Sequence, residues 1–66
     1  MSVAKVMEIT STSSKGFQDA LEKGIKKASK SVRNIKGAWI QDQEVVVEDG
    51  KVTEYRVSMK VTFVID

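Results

Sequence analysis

The chain has 66 residues, eleven Lys and Arg against nine Asp and Glu, a net charge of +2, and no cysteine, histidine or proline. Disulfides and thiolate or imidazole metal sites are therefore excluded, and the near balance of charge gives no case for a nucleic-acid partner. No apolar run is long enough for a signal peptide or a membrane span, so no membrane partner is expected and cytoplasmic is the default location.

A chain this short buries only roughly 60% of its unfolded surface. At that size apolar burial and chain entropy nearly cancel. With disulfides and such metals excluded, the remaining routes to stability are association with copies of itself or a very well packed monomer.

The first predicted element is a strand over about 3–10, with Val3, Lys5, Met7 and Ile9 on one face and Ala4, Val6 and Glu8 on the other. The run Thr10–Ser14 reads as a turn and helix start, with Ser13 as the N-cap and Ser14 as the alternative. A helix is predicted over 14–33. Phe17, Ala20, Leu21, Gly24, Ile25, Ala28 and Val32 form its apolar stripe. Gly24 within that stripe is expected to let the helix lie close on a sheet. Lys26, Lys27, Lys30 and Arg33 suit the negative end of the helix dipole, and Asn34 is a candidate left-handed terminator.

A long hairpin follows over about 35–65, turning at Asp49-Gly50. In its first strand, Ala38 and Ile40 fall on one face and Gly37, Trp39, Gln41, Gln43, Val45 and Val47 on the other. In its second, Tyr55, Val57, Met59, Val61, Phe63 and Ile65 are expected against the helix, with Glu54, Arg56, Ser58, Lys60, Thr62 and Val64 facing away. The fold class is α+β, β-α-β-β, a single domain over 1–66. One helix covers one sheet face only. The other, carrying Trp39, Val45, Val47, Arg56 and Val64, is expected to be buried against copies of the chain.

No catalytic constellation is visible, and the four glycines form no phosphate loop, so the chain reads as a non-enzyme. Asp42 and Glu44, with Glu48 and Asp49 nearby, are candidate oxygen ligands for a hard cation such as calcium. The alternative is a set of solvated hairpin charges. Trp39 either anchors a subunit interface or offers a stacking surface to a planar ligand.

The segments Lys5–Ser13 (KVMEITSTS), Val32–Gln43 (VRNIKGAWIQDQ) and Glu54–Phe63 (EYRVSMKVTF) resemble the dodecins in order, spacing and length. The resemblance implies a three-stranded antiparallel sheet partly wrapped around one helix. It also implies a hollow homododecamer that binds or stores a small molecule, the family ligand being a flavin (riboflavin, FMN or FAD). Family members sandwich the flavin ring with a tryptophan early in the second strand and bond its edge with a glutamine in the third. Aligned on Asp42-Gln43, those positions are Gly37 and Arg56 here, which predicts weak or absent flavin affinity. The ligand-binding candidates are thus Gly37, Trp39, Arg56 and Gln43. Relatives without the flavin tryptophan are associated with calcium, so a structural or calcium-binding shell is the alternative reading.

Overall fold

The computed structural model describes residues 3–65: strand β1 (Val3–Ser13), helix α1 (Phe17–Ser31), and strands β2 (Ile35–Glu48) and β3 (Lys51–Ile65). The strands form one antiparallel sheet in the order β1-β3-β2. The predicted β-α-β-β architecture is the one found.

Helix α1 packs over β1 and β3. Ala20, Val57, Met59 and Val61 are fully buried between the layers, with Met7, Ile9, Phe17, Leu21, Ile25 and Ile35 around them. The apolar stripe and the alternation of β3 predicted this core. Phe17 and Tyr55 close one end, edge to face, with ring centroids 5.2 Å apart. Gly24 does what its place in the stripe suggests. A Cβ there would lie 3.0 Å from both Met59 Cε and Ser11 Cβ, so the helix backbone sits almost on the sheet.

The helix boundaries differ from the prediction. β1 continues to Ser13, and α1 begins only at Phe17, with Gly16 at the N-cap and no side-chain cap. Ser13 is therefore not the cap. Its Oγ accepts from the Lys15 N–H at 2.9 Å and donates to Asp19 Oδ2 at 2.6 Å. The hydroxyl organises the strand-to-helix turn and tethers a first-turn carboxylate, a competing use for a serine near a helix start. At the other end Asn34 is left-handed (φ 62), as expected, but it lies beyond the helix, whose C-cap is Val32. The Asn34 carbonyl accepts from the Val64 N–H at 3.1 Å, so the residue steers the chain into the sheet.

The hairpin turns where predicted. Asp49 (φ 51) and Gly50 (φ 75) both take the positive φ that a tight two-residue hairpin turn requires. The register is broken between Ile35/Gly37, Ile40/Asp42 and Val46/Val47. The first two breaks place extra residues, Lys36 and Gln41, in β2, and the third places Thr53 in β3. Each bulge resets which side chains share a face. Fifteen helical residues span roughly 22 Å, whereas the molecule is 51 Å long. The turn end of the hairpin thus runs past the helix and is covered on neither face.

Candidate functional site

Residues paired across antiparallel strands point to the same side of the sheet. The pairing therefore gives the face away from α1 as a series of rungs: Val6–Thr62–Gly37, Glu8–Lys60–Trp39, Thr10–Ser58–Asp42 and Thr12–Arg56–Glu44. Ala4 and Val64 extend it at one end.

Trp39 dominates this face. It is 53% exposed, a large fraction for the most hydrophobic side chain on the face. Lys60, its cross-strand partner, holds Nζ 5.7 Å from the centroid of the indole ring. That is cation–π range. The sequence places Arg56 with Trp39 among the ligand-binding candidates on the face away from the helix. Arg56 does lie on the Trp39 face, but four residues from Lys60 along β3, or roughly 13 Å. It is also engaged: its guanidinium nitrogens lie 3.8 Å from Glu44 Oε1 and 3.8 Å from Glu54 Oε1. Strand pairing, rather than alternation within one strand, was the signal that would have found Lys60.

Gly37 sits one rung beyond Trp39. Thr62 Oγ1 donates to its carbonyl at 3.1 Å, and a Cβ at Gly37 would meet that hydroxyl at 3.4 Å, an ordinary contact. A side chain can thus be accommodated at its first atom.

Gln43 and Val45 were expected beside Trp39 and are not there. The bulge at Gln41 moves both to the helix side, where Gln43 pairs with Val57 and Val45 with Tyr55. The same bulge brings Asp42 and Glu44 onto the Trp39 face, opposite Ser58 and Arg56. The two carboxylates stand two residues apart on one strand, roughly 7 Å, and Arg56 draws on Glu44. Among the described residues no three Asp, Glu, His or Cys side chains come together to hold a metal ion. Calcium takes six to eight oxygens, so Asp42 and Glu44 of one chain supply only part of such a set.

Against this geometry, a family model described as Dodecin matches residues 3–66. The chain belongs to the dodecin family. This dodecin is 36% identical to the calcium dodecin of Mycobacterium tuberculosis over 64 residues, which cover 96% of this chain and 89% of that protein. Its structure superposes on the dodecin from Streptomyces davaonensis with a TM-score of 0.93 at 29% identity, covering 98% of this chain and 96% of that one. The crystal structure of the M. tuberculosis protein, described as a calcium-chelating antigen with a novel calcium-binding site, matches with a TM-score of 0.83 at 31% identity, over 97% of this chain and 91% of that one. The dodecin fold inferred from the three sequence segments is thereby shown. No helix of the described residues is long and apolar enough to cross a membrane.

Proposed function

We propose that this dodecin is a non-catalytic small-ligand binding and storage subunit that closes with copies of itself into a hollow homododecamer, acting in the cytoplasm. The observation that carries the reading is the sheet face away from α1, where Val6 and Trp39, each 53% exposed, lie on neighbouring rungs with no layer over them. A face of this kind is covered by association or by a ligand. Its ligand is a planar molecule stacked on Trp39, with Lys60 offering a positive charge beside the ring. The family resemblance makes a flavin the first candidate, and Gly37 and Arg56, in place of the two family contacts, make its affinity weak. Titration of purified protein with riboflavin and FMN, followed by Trp39 fluorescence, tests this directly. Saturable quenching supports the reading, and none at flavin concentrations up to the millimolar range ends it.

A second reading is favoured by the similarity to the M. tuberculosis calcium dodecin. Here Asp42 and Glu44 give carboxylate oxygens to a calcium ion, and further oxygens come from neighbouring copies. A calcium-dependent rise in melting temperature, absent with magnesium, supports it.

A further inference from the structure

Helix α1 lies over β1 and β3, and although Ile35 of β2 packs at the margin of the core, the rest of the helix-side flank of β2 is left open. Between them runs a groove of about 570 Å³, walled by Leu21 and Ile25 from the helix and Ile35 and Ala38 from the strand. Its rim carries Lys26, Lys36 and Glu22, and Glu22 already accepts from Gln18 Nε2 at 2.6 Å. The two lysines therefore give the rim a positive balance. At the far end of the same molecule the overhanging hairpin tip exposes Val47 at 56% and Val52 at 47%, paired across the strands, with Glu48 and Asp49 at the turn. With Lys51 paired to Glu48 beside Asp49, the apolar knob keeps one net negative charge, and the apolar groove, with Lys26 and Lys36 against Glu22, one net positive charge.

We infer that the hairpin tip of one copy seats in the α1–β2 groove of the next, with Val47 and Val52 against Leu21 and Ile25 and with Glu48 and Asp49 facing Lys26 and Lys36. The inference deepens the self-assembly reading above and rests on it. Knob and groove are different surfaces, so the contact is head-to-tail and closes only by rotation into a ring. A chain cannot fill its own groove, because the ten residues from Ala38 to Glu48 hold the tip roughly 33 Å away along the strand.

Since the chain has no cysteine, engineered pairs report single contacts. In the double variant Glu22→Cys/Val47→Cys, mild oxidation should give a ladder of disulfide-linked dimers and trimers on a non-reducing gel. The control Lys23→Cys/Val47→Cys, whose helix cysteine faces the groove on the β1 side, should give none. Val47→Lys should lower the native mass while leaving the far-UV circular dichroism of the subunit unchanged. An assembled protein with no Glu22–Val47 ladder overturns the tip-in-groove contact and leaves the assembly reading standing. So does a ladder from the control instead, or dimers from Val47→Cys alone, which would mean tip-to-tip contact. Wild-type protein that is monomeric by native mass spectrometry overturns both.

Discussion

Lys60 Nζ stands 5.7 Å from the centre of the Trp39 ring on the uncovered face of the sheet. Lys60 stands over one face of that ring, so a planar ligand gains the indole surface by stacking on the other face or by displacing the ammonium group. Base–aromatic stacking is worth about 1–3 kcal/mol, so Trp39→Ala should weaken such a ligand roughly ten- to a hundredfold in a fluorescence-independent assay such as calorimetry. An unchanged affinity combined with a lower melting temperature would assign Trp39 to subunit contact alone.

Lys60→Met separates charge from stacking. An anionic flavin such as FMN should lose affinity relative to riboflavin, and riboflavin itself should be little affected. Equal losses for both would show that the ammonium group is not read by the ligand.

Gly37→Trp tests the alignment on Asp42-Gln43, which puts the tryptophan of the flavin-binding family members at Gly37. The first atom of the new side chain has room beside Thr62 Oγ1. Flavin affinity should rise in an intact assembly. No gain would mean that the alignment on Asp42-Gln43 is shifted, or that Arg56, in place of the family glutamine, is enough to keep flavin out.

Gly24 sets the distance between the layers. Gly24→Ala gains about 1 kcal/mol of helix propensity and pushes a methyl to 3.0 Å from Met59 Cε and Ser11 Cβ. The methionine end can move, whereas the serine Cβ on its strand cannot, so the two effects oppose each other. Gly24→Val adds β-branched bulk at the same spot and should destabilise by about 1–3 kcal/mol in denaturant titration. A valine variant as stable as wild type would show that helix and sheet separate freely.

Asp19 links pH to stability. The Ser13 hydroxyl first, and Lys23 at 3.2 Å second, hold its carboxyl below the ordinary carboxylate value. A lowered folded pKa means the contribution is fully present above the unfolded value of about 3.9 and is lost as pH falls through the folded one. Ser13→Ala should move the Asp19 titration, followed by carboxyl NMR, back towards normal. It should also raise the midpoint of acid unfolding. An unmoved titration would leave Lys23 as the sole cause.

The periodicities of the chain carried most of the fold. The helix stripe, the alternation of β3 and the Asp49-Gly50 turn each depend on neighbours three, four, two or one residue apart, and such spacings are visible in a line of letters. What was not legible depends on pairing between strands. Gln41 looks like any other strand residue, yet as a bulge it sends Gln43 and Val45 to one side and Asp42 and Glu44 to the other. Lys60 meets Trp39 for the same reason: 21 residues of sequence separate them and one rung of register joins them. Ser13 misled because a serine hydroxyl serves a turn as readily as a helix cap.

The place of β3 has a consequence for synthesis. It is the central strand, and both β1 and β2 bond to it and not to each other. It is also the last of the four elements to leave the ribosome. Until it emerges, β1 and α1 have no sheet to complete, and at roughly 5–20 residues per second that wait lasts seconds. Every nascent chain therefore passes through an interval with its apolar helix stripe bare, beside other chains emerging from the same message.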